Sequence, residues 1–280
     1  MDNNDRFRRP SDGRLPHNRK ELFFNILRWR FTYLLAIGLL SLAFLLPDIA
    51  ALTYNDIAAS VISQSGEDVA SKIVTLRLQT SLLQIICYIV LFFGASGVFY
   101  LLRQLAWDEP TSIFSGWWQG VKQNWKHYTF LGVCVGILNV LNAFAEVLLH
   151  GFVKYVPRAL FVLVVVPVLL YAAILDVVYI KKLGNLLSGA ATLYFKTLPI
   201  TLLFTLLVIA PTLLLFVPKF TIRYAILATW VVVVLPIVLY GWTLYAMDKL
   251  DKFINKEHYP EIYNKGVYVD KASSKEDTEE

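Results

Sequence analysis

Long runs without a single charged residue are the feature that most limits how this chain can fold. The run from Leu78 to Leu102 has 25 residues, and the run from Tyr224 to Met247 has 24. A helix needs about 20 mostly apolar residues to cross the hydrocarbon core of a bilayer. Each run is therefore long enough to form a membrane span.

Six segments meet or approach this length, which predicts an all-α, polytopic transmembrane helix bundle. The predicted membrane domain covers residues 31–248, with spans at 31–47, 79–102, 128–149, 159–180, 197–217 and 224–247. The first span is the shortest, with 17 uncharged residues between Arg30 and Asp48. Five spans are the alternative if this segment lies only in the membrane interface. The composition agrees, since 57% of the residues are apolar and only 17% are charged, against about 25% charged in an ordinary soluble domain.

The positions of the basic residues predict the orientation of the bundle. Of the 26 Lys and Arg residues, 20 fall in the arm 1–30, the tail 249–280 and the loops on the same side, and six fall on the other side. Because cytoplasmic loops carry the excess of Lys and Arg, both termini are predicted to be cytoplasmic, in a bacterial plasma membrane. The first span is then a retained start signal and not a cleaved signal peptide. The net charge of +5 reflects this orientation and predicts no nucleic-acid partner.

Three segments between the spans carry a recognisable pattern. Residues 48–77 are expected to form a long extracytoplasmic loop, in which the helical spacing of 69–76 favours an outward extension of the second span. Segments 113–127 and 182–196 are each predicted to be an amphipathic helix that lies flat in the cytoplasmic interface. The apolar stripe of the first of these helices consists of Ile113, Phe114, Trp117, Trp118, Val121 and Trp125.

Polar and small residues share one face of the third span. Gly132 and Gly136 have the spacing that lets two membrane helices approach closely. Asn139 and Asn142 follow, and hydrogen bonds between helices explain both without any transport function. Glu146 lies near the outer boundary, and Asp176 of the fourth span lies near the inner one. We expect the two acids to reach headgroup water or to pair with basic neighbours, although an ionisable residue in a span is also a candidate for a proton or substrate site.

Motifs for enzymatic chemistry are missing from the sequence. There is no phosphate-binding loop, no His-Glu-x-x-His pair and no Gly-x-Ser-x-Gly elbow, and the four histidines are scattered. Cys87 and Cys134 both lie inside predicted spans, which excludes an extracellular disulfide framework. The sequence therefore predicts a non-enzymatic protein without a catalytic site, a metal or a cofactor.

The region 90–135 contains a series of short motifs, which are Gly94-Ala95-Ser96, Tyr100-Leu101-Leu102-Arg103, Asp108-Glu109, Ile113-Phe114, Trp117-Trp118 and Lys122-Gln123-Asn124-Trp125. With these motifs the region resembles the YesL-like family of small bacterial integral membrane proteins. The resemblance implies no biochemical activity, but it implies an association with carbohydrate uptake systems of Gram-positive bacteria. The chain departs from the family in its N-terminal arm, the segment 48–77 and its lysine-rich tail.

Two functions follow as expectations. The first is an accessory or scaffold protein in the lipid bilayer that binds a membrane transporter or regulator complex of a carbohydrate uptake system. The segment expected to bind this partner contains Arg103, Ile113, Phe114, Trp117, Trp118, Lys122 and Trp125. The alternative is a small secondary transporter or channel that uses the polar face of the third span, for which Asn139, Asn142, Glu146 and Asp176 are the candidates.

Overall fold

Helices account for nearly all of the structure, a computed structural model that describes residues 16–64, 66, 68–109, 112–179, 181–212 and 220–267. These residues form eight helices and no strand. The helices are α1 (Arg19–Trp29), α2 (Phe31–Gln64), α3 (Val69–Ala106), α4 (Ile113–Leu148), α5 (Gly151–Val178), α6 (Leu183–Lys196), α7 (Leu198–Thr212) and α8 (Thr221–His258). A short 3-10 turn, Pro260–Ile262, follows α8.

The helix bundle predicted from the sequence is confirmed. Helices α2, α3, α4, α5 and α8 are each long and apolar enough to cross a membrane. Helices α6 and α7 meet at an angle of 107° and together give a sixth candidate span. Helix α2 has 34 residues, so the first predicted span is long enough to cross a membrane. Helix α7 is described only to Thr212, so the end of the predicted segment 197–217 lies outside the described residues.

The prediction of a long loop at 48–77 is wrong. Helix α2 continues through Pro47 to Gln64, because the residues after Asp48 include no glycine and no further proline to end it. Helix α3 begins at Val69, which confirms that residues 69–76 extend the second span as a helix. At 1.5 Å per residue the two helices are about 51 and about 57 Å long, well beyond the ~30 Å hydrocarbon core.

The separate interfacial helix predicted at 113–127 is also absent, because this segment forms the first turns of α4. Close contact with α3 holds it in line with the rest of the helix. A Cβ atom added to Gly97 would lie 2.3 Å from the Trp117 ring, and one added to Gly120 would lie 2.4 Å from the Cβ atom of Tyr100. The helix predicted at 182–196 does form as a separate element, α6, at a steep angle to the helix that follows.

Helix α5 contains a π-helical turn, Phe161–Val165, just ahead of Pro167. A proline has no backbone N–H to donate, so the carbonyl four residues earlier loses its usual partner. That carbonyl belongs to Leu163, and it accepts a hydrogen bond from the Tyr194 hydroxyl of α6 at 2.6 Å. Pro167 thus leaves the Leu163 carbonyl of α5 free to accept a hydrogen bond from α6.

Helix α8 repeats this arrangement with a π-helical turn at Trp230–Val234 ahead of Pro236. Here the carbonyl freed by the proline is that of Val232. Its oxygen packs against α2 at Gly38, where an added Cβ atom would lie 2.1 Å from it. The crossing of α2 and α8 therefore brings two backbones into contact, and it depends on the absence of a side chain at Gly38.

The buried core is concentrated at one end of the bundle, which we call the terminal side because α1 and residues 259–267 lie there. Tyr171, Trp242 and Leu102 are almost fully buried in this cluster. The Trp242 indole N–H donates to the Leu170 carbonyl at 3.1 Å, and the Tyr128 hydroxyl donates to the Ala173 carbonyl at 2.9 Å. The opposite end, which we call the far side, exposes many apolar side chains of α2 and α4.

The described part of the C-terminal segment is folded against the bundle and is not a free polar tail. Helix α8 continues past residue 249 to His258, and the chain then packs against the end of α3. Lys265 pairs with Glu109 at 2.8 Å. A Cβ atom added to Gly266, whose φ is +88°, would lie 2.4 Å from the Ala106 carbonyl oxygen. Residues 1–15 of the predicted arm and 268–280 of the predicted tail lie outside the described part of the chain.

A buried polar cluster joins the two terminal segments to the bundle. Arg19 of α1 forms an ion pair with Asp251 of α8, and their side chains are only 11% and 7% exposed. Asn255 donates to the other oxygen of Asp251 at 2.7 Å and accepts a hydrogen bond from the Tyr179 hydroxyl. Segments that the sequence assigns to an arm and a tail are thus parts of one folded structure.

Candidate functional site

A chain of hydrogen bonds crosses three helices in the membrane-spanning part of the bundle. The side-chain amide of Asn139 in α4 donates to the amide oxygen of Gln84 in α3 at 2.9 Å. The amide nitrogen of Gln84 in turn donates to a carboxylate oxygen of Asp48 in α2, also at 2.9 Å. This chain accounts for Asn139 as part of a packed helix interface, whereas Asn142 is half-buried and outside the chain.

The small residues of α4 make this interface possible. An added Cβ atom at Gly132 would lie 2.8 Å from the Tyr88 carbonyl oxygen, and one at Gly136 would lie 2.8 Å from the Cα atom of Ile85. Both glycines therefore face the backbone of α3 directly. Their close approach brings Asn139 within reach of Gln84.

Substitution of Asn139 tests whether its role is structural. We expect Asn139→Ala to lower the free energy of unfolding by about 0.6 kcal/mol, the usual contribution of a side-chain hydrogen bond between membrane helices. The shift of the unfolding midpoint in mixed micelles with increasing dodecyl sulfate measures this change. Asn142→Ala is the matched control and should shift the midpoint less. An equal shift for both variants would contradict the interface role of Asn139.

Glu146 lies between two arginines on the far side. Its carboxylate forms one ion pair with Arg77 of α3 and another with Arg158 of α5, the second at 2.9 Å. The glutamate side chain is largely buried, while both arginines are about half exposed. The acid is thus paired with two basic neighbours, and these ion pairs join α3, α4 and α5.

Asp176 lies beside a histidine, a contact that no sequence pattern predicts. The His127 Nδ1 atom of α4 lies 2.6 Å from one carboxylate oxygen of Asp176. The second oxygen is buried and has no hydrogen-bond partner among the described residues. The next carbonyl along α5, that of Val177, accepts a hydrogen bond from Arg103 at 2.8 Å. Glu146 and Asp176 therefore lie in separate clusters and form no common site with Asn139.

The aromatic segment at the start of α4 divides into a buried side and an exposed side. Trp117 is buried against α3, and its indole N–H donates to the Gly94 carbonyl at 3.1 Å. Ile113 is half-buried and packs against the core. On the other side Phe114, Trp118 and Trp125 are 73%, 45% and 43% exposed.

The two basic residues that were expected to bind a partner, Arg103 of α3 and Lys122 of α4, are also divided. The Lys122 ammonium lies 5.6 Å from the centre of the exposed Trp118 ring. The Arg103 guanidinium instead lies inside the bundle, 4.1 Å from the Tyr100 ring and 4.5 Å from the Trp107 ring. Of the residues expected to bind a partner, those at 114, 118, 122 and 125 form the exposed set, which we call the aromatic face.

Two groups of functional candidates were missed in the sequence. The charge of Asp48 predicts the end of the first span, yet Asp48 lies well inside α2 and beside Gln84. The signal available was Gln84 itself, a polar residue in the middle of an otherwise apolar run. The buried pair of Arg19 and Asp251 had no such signal, because 232 positions separate the two residues.

The described side chains bring no three His, Cys, Asp or Glu residues together in a way that could hold a metal ion. Comparisons of the chain with protein-family models, curated proteins and solved structures found no match.

Proposed function

We propose that this chain is a non-enzymatic accessory protein of the membrane, which binds a second membrane protein through its aromatic face. The observation that carries the proposal is the division of the aromatic segment. Trp117 is fixed against α3, while Phe114, Trp118 and Trp125 on the same helix stay exposed. Spacings of four, four and three residues place Phe114, Trp118, Lys122 and Trp125 along one side of α4.

The chemistry of this face suits a protein partner. Tryptophan and other aromatic side chains provide large contact areas at a small cost in conformational entropy, and they dominate the energetics of protein interfaces. Helix α3 supports the face from behind, because the ring of Trp117 lies against Gly94 and Gly97. A rigid face loses little freedom on binding, which favours affinity.

The alternative, transport along the polar face of α4, has less support. Asn139 is hydrogen-bonded to Gln84, and Glu146 is paired with two arginines. Residues engaged in contacts between helices are poorly placed to bind and release a substrate. The accessory function requires no such release.

The class of partner follows from the YesL-like resemblance. It favours a membrane subunit of a carbohydrate uptake system, in a bacterial plasma membrane with both termini of this chain in the cytoplasm. In that orientation the aromatic face lies near the cytoplasmic boundary, where Trp118 and Lys122 would meet the partner's cytoplasmic end.

Crosslinking in native membranes tests this proposal. A photoreactive residue placed at position 114 should link the full chain to one membrane protein in a near-stoichiometric complex, which mass spectrometry identifies. Trp118→Ala and Lys122→Glu should each reduce recovery of that protein several-fold, because each removes part of the aromatic face. Phe144→Ala removes an exposed aromatic ring from the other end of the same helix and should leave recovery unchanged. Recovery of the chain alone, or equal losses with Phe144→Ala, would count against the proposal.

A further inference from the structure

A cavity of about 370 Å³ lies between α2, α3, α7 and α8. Its walls include Phe44 of α2, Phe99 of α3, Ile209 of α7 and Trp230 of α8. The volume falls in the range of roughly 300–1,000 Å³ that is typical of small-molecule sites. The cavity is only partly enclosed, so a ligand could enter it from outside the bundle.

Asp48 is the one ionisable residue among the described residues that line this cavity. The hydroxyl groups of Ser41 and Thr212 also border it, but each donates to a carbonyl of its own helix, at 2.9 and 2.8 Å. The rest of the lining is almost entirely hydrocarbon and aromatic. The chemical character of the cavity is therefore an apolar volume with a single carboxylate.

The carboxylate of Asp48 has no positive partner among the residues that the structure describes. Within the described part of the chain, no basic side chain lies at ion-pair distance from it, and its one hydrogen bond comes from Gln84. Asn139 fixes the orientation of Gln84 by donating to its amide oxygen. An acid in a membrane helix is costly unless a cation or hydrogen-bond donors compensate it, so the cavity favours an occupant that supplies positive charge.

We propose that this cavity binds a hydrophobic organic cation, with the charged group at Asp48 and the apolar body between Phe44, Phe99 and Trp230. Aromatic rings that border the cavity add cation–π attraction to the charge of the carboxylate. A carbohydrate does not fit this chemistry, because its hydroxyl groups would find few partners on the walls. The site is thus separate from the aromatic face and does not rest on the accessory function.

Binding of two ions of the same shape and opposite charge tests the proposal. The full chain is reconstituted in phosphatidylcholine nanodiscs, and equilibrium dialysis measures binding of tetraphenylphosphonium and tetraphenylborate, with empty nanodiscs subtracted. We expect saturable binding of one phosphonium ion per chain and no saturable binding of the borate. Equal binding of both ions would overturn the proposal, because hydrophobic partition alone would then explain it.

Variants of the cavity locate the site. Asp48→Asn removes the charge but keeps an oxygen for the Gln84 hydrogen bond, and it should weaken phosphonium binding by at least about tenfold. Ala95→Leu fills part of the cavity without changing any charge and should weaken binding similarly. Asp248→Asn removes an exposed acid of α8 that does not line the cavity and should leave the affinity unchanged. Unaltered affinity in Asp48→Asn or in Ala95→Leu, with an unfolding midpoint like that of the parent, would overturn the assignment.

Discussion

Gly38→Ala is expected to destabilise the bundle by about 3 kcal/mol, at the upper end of the usual cost of overpacking a core. The added Cβ atom would lie 2.1 Å from the Val232 carbonyl oxygen and 2.7 Å from its carbon. Both are backbone atoms, so no side-chain rotation relieves the clash and the two helices must separate. The unfolding midpoint in mixed micelles with increasing dodecyl sulfate, followed by tryptophan fluorescence, measures the loss.

Gly184→Ala provides the matched control for this change. Gly184 lies in α6, and no neighbouring atom comes within 4 Å of its added Cβ position. Because alanine is favoured over glycine inside a helix, this variant should be unchanged or more stable by up to about 1 kcal/mol. Similar midpoints for the two variants would contradict the close crossing of α2 and α8.

Asp251→Leu is expected to cost about 3–5 kcal/mol, because it leaves the Arg19 guanidinium buried without its counter-charge. The pair is only 11% and 7% exposed, and Asp251 also accepts the hydrogen bond from Asn255. The loss should appear in the same unfolding assay. It should also expose α1 to protease, since the ion pair is one of the contacts that hold α1 against α8.

A second substitution separates loss of the pair from loss of the aspartate alone. Arg19→Met combined with Asp251→Leu removes both charges, and it should recover much of the stability, since an apolar pair of similar size often replaces a buried ion pair without loss. Asp248→Asn is the surface control, because Asp248 is 58% exposed and pairs with the adjacent Lys249. It should change stability by no more than about 1 kcal/mol. A double variant as unstable as Asp251→Leu would show that the charge pair is not the cause.

Contacts within one helix or between successive helices were easier to predict from the sequence than contacts between distant helices. Gly132 and Gly136 pack against α3, the helix that precedes their own, whereas their spacing predicts a close helix approach without naming the partner. Asn139 likewise finds its partner on that helix. In these cases the residues of a local pattern contact the helix that is adjacent in the sequence, so there are few other helices with which they could pack.

Helix continuity was harder to predict. Residues 113–127 have an amphipathic pattern that suits an interfacial helix, yet they continue into α4 because Gly97 and Gly120 let this segment pack against α3. Residues 48–64 have a polar content typical of a loop, yet they remain helical, and the Asn55 side chain accepts a hydrogen bond from Thr80 of α3. Whether a helix ends at the membrane boundary depends on such tertiary contacts, which hydropathy does not report.

By itself, the sequence determined that the chain forms an all-helical bundle with about six segments able to span a membrane. Transfer of about 20 apolar residues into a bilayer depends on local composition, so it can be read from one segment at a time. Only the tertiary structure decided which charges meet, such as Arg19 with Asp251 and Glu146 with Arg77 and Arg158. It also decided that Asp48 borders a cavity, because a partner or a void arises from the packing of helices that are distant in sequence.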